Sequence, residues 1–194
     1  MLEYMERNMP QQGARLTSEQ VWTSVERASF AVISQVTAAG EPRSSGVVYA
    51  TAGRRMFVAV AADSWKARQI AATGRVAVTV TVRRGGLLAL LFPIPPATIS
   101  FNGTAIVHPA GQVLTSDAPR KLAALLPAER KASACIVEII PDGHFLTYGI
   151  GVSLMQMRSP AAARARVPVH ASAPVRESAP SLVSSAARDA GRSA

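Results

Sequence analysis

The sequence predicts a mainly β domain, an antiparallel barrel carrying a few helices. Three observations carry this. Apolar runs of strand length follow one another at short spacing with turn residues between them, which is hairpin order. Residues 75–82 alternate Val76, Val78, Val80 and Val82 against Ala77, Thr79 and Thr81, the period of a strand with one buried face. Neither a GxGxxG nor a GxxxxGK segment occurs, so a βαβ nucleotide fold is unsupported.

Taken in order, residues 1–15 read as a lead-in. Thr17 and Gln20 fit a capping box that opens a helix through about Arg27. Val21, Trp22 and Val25 form its apolar face, with Trp22 as a packing anchor. Residues 30–37 are rich in β-formers, 38–41 form a turn, and 43–51 return as a second strand with Pro42 at its edge. Ala52-Gly53-Arg54 turns the chain into a third strand over 55–61. A short helix is expected over 64–72, stopped by Gly74. After the alternating strand, 98–108 reads as another, with a bulge expected at Gly103. Residues 117–126 read as a helix, with Pro119 early in it and Pro127 ending it. Residues 133–140 and 144–150 read as two strands joined by Pro141-Asp142-Gly143, a strong turn signal. The count is seven strands and three helices.

The chain has 194 residues, enough for one domain with a real core. The domain is expected over 16–170, followed by a disordered tail rich in Ala, Ser, Pro and Arg over 171–194. The composition, 48% apolar and 17% charged, is that of a soluble globular protein. The net charge is +9, and residues 159–194 supply +3 of it through Arg164, Arg166, Arg176, Arg188 and Arg192 against Glu177 and Asp189. The rest suits phosphate or a general affinity for anions. Aromatic residues make up only 5% and no run of Lys and Arg stands out, so nucleic acid is not the expected partner. Cys135 is the sole cysteine and reads as a small core residue; with no disulfide, a cytoplasmic location is expected. The three histidines, His108, His144 and His170, show no ligand spacing, so no metal site is expected. The N-terminal twenty residues lack the apolar stretch of a signal peptide. Residues 85–96 are apolar, yet too short and proline-rich to cross a bilayer, and no transmembrane segment is expected. They fit a loop at a subunit interface, a lid over a substrate pocket, or a shallow membrane contact.

The chemistry concentrates in two stretches. Asp63-Ser64-Trp65-Lys66-Ala67-Arg68 runs from a strand into a helix, so Lys66 sits in a first turn beside unpaired N–H groups. Pro42-Arg43-Ser44-Ser45-Gly46-Val47 places a guanidinium beside two hydroxyls. Arginine can clamp a phosphate with two parallel bonds, and lysine adds a point charge. On a strand, Arg43 and Ser45 share one face and Ser44 takes the other. The chemistry alone leaves two readings open: a phosphate site, or solvated side chains on a helix and a strand.

The order of these pieces resembles the pyridoxamine 5′-phosphate oxidase-like, FMN-binding split-barrel family. The matching segments are residues 30–40, then Pro42-Arg43-Ser44-Ser45, then Ser64-Trp65-Lys66-Ala67-Arg68, then Gly74-Arg75-Val76-Ala77-Val78. The resemblance covers roughly residues 16–165. It implies a six-stranded antiparallel split barrel that forms a homodimer, with FMN in a cleft between subunits. It gives the phosphate to Arg43 and Lys66, with Ser64 and Trp65 at the same end. It places Ser44, Ser45 and Val47 along the edge of the isoalloxazine, the backbone of Val60 facing the flavin, and Thr98 reaching the cofactor from a later strand. It implies a flavin-dependent oxidoreductase acting on a small or hydrophobic molecule. The family also includes proteins that use the deazaflavin F420, which presents a similar phosphate and ring, and haem binders. A non-catalytic flavin carrier or sensor is the reading from another class. Two departures bear on the reaction. Trp65 stands where the true oxidases usually carry Arg, and their C-terminal substrate segment has no counterpart over 148–158, so pyridoxamine phosphate oxidation is not expected. Tyr49 and His108 are the candidate proton donors, though each also reads as structural.

Overall fold

The computed structural model describes residues 16–84, 94–109, 122 and 133–170. Seven strands form one antiparallel sheet in the order β3-β2-β1-β4-β5-β6-β7. They are β1 (Phe30–Val36), β2 (Pro42–Ala52), β3 (Arg55–Ala61), β4 (Arg75–Val82), β5 (Ala97–His108), β6 (Ala134–Tyr148) and β7 (Arg164–Pro168). A further pairing of β3 with β6 closes the first six into a barrel and leaves β7 as an added strand. Strand number and hairpin order therefore match the expectation, with two corrections.

The first concerns Pro141-Asp142-Gly143, which does not turn a hairpin. The two expected strands are one, β6, and both halves pair with β5. The register slips between Ser100↔Leu146 and Asn102↔Asp142, so β6 spends extra residues opposite Phe101. That irregularity bends the strand. Before the bend β6 pairs with β3, and after it with β7. The bulge expected at Gly103 belongs to this slip at Phe101. Gly103 instead permits a close approach of two strands, since a Cβ there would lie 2.8 Å from the carbonyl oxygen of Ile140. The second correction is β7 itself. Within the expected domain, residues 164–168 form a strand that the sequence pattern did not predict, with Arg164 and Arg166 paired with Tyr148 and Leu146.

Two helices close the ends. In α1 (Ser18–Arg27), Thr17 caps the N-terminus and Gln20 reaches back to it, completing the box. Val21, Trp22 and Val25 are buried in the barrel core. Trp22 meets Phe145 edge-on at 5.5 Å, and Phe145 meets Phe101 the same way. Tyr49 Oη donates to the Val25 carbonyl at 2.6 Å, and Ser18 Oγ donates to that of Val169 at 2.7 Å, which ties α1 down. In α2 (Trp65–Thr73), Ser64 is the N-cap and Gly74 the C-cap, with φ of 61°. Only glycine takes that left-handed geometry without cost, which explains its place as the stop. Ala67 and Ile70 anchor α2 in the core, and Ala105 of β5 donates its N–H to the Gly74 carbonyl. Residues 160–163 form a short third helix, α3 (Pro160–Ala163), ahead of β7. Among the described residues, no helix is long and apolar enough to cross a membrane. The lead-in over 1–15, the apolar run over 85–93, the helix expected over 117–126 except Leu122, and the tail over 171–194 lie outside the described residues.

Candidate functional site

The barrel is split on one side. β2 and β3 are paired from Ala52↔Arg55 only as far as Tyr49↔Val58. Beyond that point residues 42–48 pair with β1 alone, and 59–61 with β6 alone. The two lips diverge toward the end of the barrel where β3 runs into α2. Antiparallel alternation turns the backbone groups of Ser44, Gly46 and Val48 away from β1 and toward the gap, since Tyr49 N–H donates to Ser29 on the β1 side.

Arg43, Ser64 and Lys66 all belong to this end. Ser64 Oγ accepts from Ala67 N–H at 3.2 Å, leaving other first-turn N–H groups free of side-chain caps. Arg68 donates to the Asp63 carbonyl at 2.8 Å and steadies the entry to α2. Lys66 is half-buried, and burial pulls the pKa of its ammonium down. Among the described residues it meets no carboxylate. Arg43 is held by Glu41 at 2.7 Å, but both side chains are more than half exposed. A pair this exposed contributes little and can yield to a better anion.

Some buried polar atoms have no partner, and most of them lie at this end. Among the described residues these buried atoms are Trp22 Nε1, both amide atoms of Gln35, and Gln69 Oε1. Gln35 pairs in register with Arg43, and Gln69 lies one helical turn from Lys66. Three of the four orphaned atoms thus flank the two cations, where a polar ligand would meet unsatisfied groups. Gln35 was missed by sequence reasoning. Its only signal is a polar residue at an inward position of β1, between Ile33 and the strand end.

The remaining expected residues divide. Ser44 points outward and shares a 2.7 Å hydrogen bond with Ser34 Oγ. Ser45 is half-buried on the inward face with Arg43. The Val47 and Val60 side chains belong to the core, and the same alternation turns the backbone groups of Val47 to β1 and those of Val60 to β6, where Ala62 N–H two residues on donates to Ser133. Trp65 opens α2 with 44% of its surface exposed. Thr98 is not with the others. It lies at the other end of the sheet, in register with Thr81 and Tyr148. Five residues along β1 separate its row from that of Arg43, roughly 17 Å at the rise of a strand.

Neither candidate proton donor is free. Tyr49 is 3% exposed, its hydroxyl is spent on Val25, and burial raises its pKa far above the ordinary value. His108 Nε2 lies 2.7 Å from Glu138 Oε2, and Arg55 donates to Glu138 Oε1 at 2.5 Å. Burial alone would raise the Glu138 pKa, but the hydrogen bonds and charges of Arg55 and His108 outweigh it and hold the carboxyl below its usual range. This trio fastens β3, β6 and β5 together on the outside of the barrel. Glu138 was also missed; its signal is a lone acid within the apolar run of 134–140. Cys135 is buried, and burial pushes its thiol pKa up, as a packing residue requires. Among the described residues no cluster of His, Cys, Asp and Glu could hold a metal.

No protein-family profile and no curated protein matches this sequence. Solved structures do. A haem-binding protein from Mycobacterium smegmatis superimposes with a TM-score of 0.51 at 18% identity, over 70% of this chain and 55% of that one. An FAD-binding protein from Mesorhizobium loti gives 0.51 at 14% identity, over 66% and 91%. The haem storage protein of Vibrio cholerae gives 0.50 at 14% identity, over 71% and 97%. At these identities the likeness establishes the fold, a split barrel shared by proteins described as haem-binding and as FAD-binding.

Proposed function

We propose that this chain belongs to the pyridoxamine 5′-phosphate oxidase-like split barrels and is a flavin-dependent oxidoreductase. It binds FMN by the phosphate at the split and acts, as a homodimer, on a small or hydrophobic substrate. The observation that carries this is the end of the barrel where β2 and β3 diverge. There, among the described residues, Lys66 is a half-buried cation without a carboxylate, and both amide atoms of Gln35 and Oε1 of Gln69 are buried without partners. A phosphate monoester with a polyhydroxyl chain fits that donor and acceptor set: anionic oxygens for Lys66, Arg43 and the first turn of α2, hydroxyls for the glutamine amides.

Bound flavin would supply the two-electron chemistry. The chain's own part is to bind and orient. Lys66 and Arg43 fix the anionic end. The outward backbone of Ser44, Gly46 and Val48 offers hydrogen-bonding edges along the gap. Gly46 keeps that edge low, because the Phe30 ring already lies where its Cβ would stand, at 2.8 Å. Among the described residues of the split no side chain is poised as an acid or base, so the cofactor carries the reaction. Phe30, Val36 and Val48 are exposed on the outer face of β1 and β2, a surface suited to a second copy.

The test is the cofactor itself. Purified protein titrated with FMN should show saturable binding and flavin absorption, and should sediment as a dimer. Saturation by F420 in place of FMN would move the reading to a deazaflavin reductase, and binding without turnover of reduced nicotinamide would move it to a carrier. No binding of either would refute it.

A further inference from the structure

At the far end of β1 from the row of Gln35 and Arg43, the last turn of α1, the start of β1 and the end of β4 enclose a cavity of about 540 Å³. Arg27 comes to it from the helix and Arg83 from just past the strand, and no aspartate or glutamate lines it. Among the described residues neither guanidinium has a carboxylate partner, and both side chains are exposed. Glu26 precedes Arg27 in the chain, but successive residues on a helix do not face each other. Arg27 also offsets the negative end of α1, a task that Arg83 does not share. Three hydroxyls border the cations, those of Ser24, Ser29 and Thr81. Ser24 Oγ donates to the Gln20 carbonyl at 3.0 Å, so its lone pairs stay open to a donor. The last wall is aromatic. Phe30 is 46% exposed, yet its ring is set in place, 2.8 Å from where a Cβ on Gly46 would stand. Of the exposed large apolar residues on β1 and β2 it is the one that lines this cavity, so a ligand as well as a second copy can cover it.

We propose that this cavity is a ligand site separate from the split, and that its ligand is a nucleoside monophosphate. Each of the three parts of such a molecule has a matching wall. Arg27 and Arg83 take the phosphate through charge-assisted bonds from two elements. The hydroxyls of Ser24, Ser29 and Thr81 meet those of the ribose, and the Phe30 ring stacks on the base. The cavity volume is in the range of small-molecule sites. Five residues along β1 part Phe30 from the Gln35 row that holds Arg43, roughly 17 Å at the rise of a strand, so the two cation pairs serve different ligands. The site does not depend on the flavin reading, and its test contains no flavin.

The test is a calorimetric titration of the full chain at low salt with AMP, adenosine, ribose 5-phosphate and inorganic phosphate. AMP should bind saturably. Adenosine lacks the phosphate and ribose 5-phosphate lacks the base, and each should bind at least about fivefold more weakly. Arg27→Gln and Arg83→Gln should each weaken AMP about tenfold or more, the loss of one charge-assisted bond, and leave adenosine unchanged. Phe30→Leu should weaken AMP about fivefold or more, the loss of one stacked ring, and leave ribose 5-phosphate unchanged. All three side chains are exposed, so unchanged melting temperatures will show that the barrel remains in place. Lys66→Met should leave AMP binding as it is, which separates this cavity from the phosphate end of the split. The proposal fails if inorganic phosphate binds as tightly as AMP, if any of the three cavity variants binds AMP like the parent, if Lys66→Met abolishes AMP binding, or if AMP does not saturate.

Discussion

Replacing Lys66 with Met tests the phosphate site through two effects of opposite sign. Lys66 is the second residue of α2, where the helix presents its positive end, and it is partly withdrawn from water. Without an anion this is an unfavourable place for an ammonium. Because the folded pKa lies below the unfolded one, the folded chain binds fewer protons. Stability of the parent protein should therefore rise as pH climbs through the folded pKa toward the unfolded value of about 10.4. Lys66→Met keeps the stem and removes the charge. The cofactor-free variant should gain a few tenths to about 1 kcal/mol from relief of the dipole clash, and should lose the rise with pH. With FMN the sign reverses: a lost charge-assisted bond costs about 1.5–3 kcal/mol, roughly a 10- to 150-fold weaker Kd. Thermal melting of the cofactor-free protein and calorimetric titration with FMN read the two effects separately. A variant that melts lower and binds FMN equally well would make Lys66 a packing residue and refute the assignment.

Three further substitutions probe the frame that holds the site. Gly103→Ala puts a methyl against backbone and should destabilise by about 1–3 kcal/mol in urea unfolding. Tyr49→Phe removes the shorter of the two hydrogen bonds to the Val25 carbonyl, leaving that from Ala28 N–H, and should cost about 1 kcal/mol; an unchanged midpoint would show that α1 does not depend on this tie. Glu138→Gln should cost about 2 kcal/mol at neutral pH, discounted because Arg55 is half exposed. Since the Glu138 carboxyl is held below its usual pKa, its contribution is full above about pH 4.3 and lost as pH falls through the folded value. The gap between parent and variant should therefore close in acid, and a gap independent of pH would mean that the charge does not matter.

The parts of this fold that were legible in the sequence are those set by local chemistry. Thr17 with Gln20, Gly74 after Thr73, and the valines of β4 each announce a cap, a stop or a period, and each is where it was expected. The parts that were not legible depend on partners distant in sequence. Pro141-Asp142-Gly143 has the composition of a hairpin turn, but β5 runs past it on one side and holds both halves in one ladder, so the turn becomes a bend. Residues 164–168 become a strand because β6 supplies an edge for them, which no local pattern announces. The site divides likewise. It is the family resemblance that brings Arg43 and Lys66 to one phosphate, whereas the orphaned atoms of Gln35 and Gln69 emerge only from packing.

The geometry also bears on why a flavin site here would need two chains. The barrel interior is filled by Ile33, Val58, Val78, Ile99, Val137 and Phe145 and has no room for a cofactor, which must lie along the split and the outer face. A ligand anchored by Arg43 and Lys66 starts at one end of the sheet. Thr98 stands at the other, three strands across and five residues along. If Thr98 touches that ligand at all, it does so from a second copy, and each chain then supplies a cation pair to one site and a hydroxyl to the other. If it does not, the cofactor lies wholly against one chain and Thr98 has no part in it. Mixing a Lys66→Met chain with a Thr98→Val chain separates these cases. A shared site leaves some mixed dimers with one intact flavin site and another doubly impaired; independent sites leave every FMN affinity set by Lys66 alone.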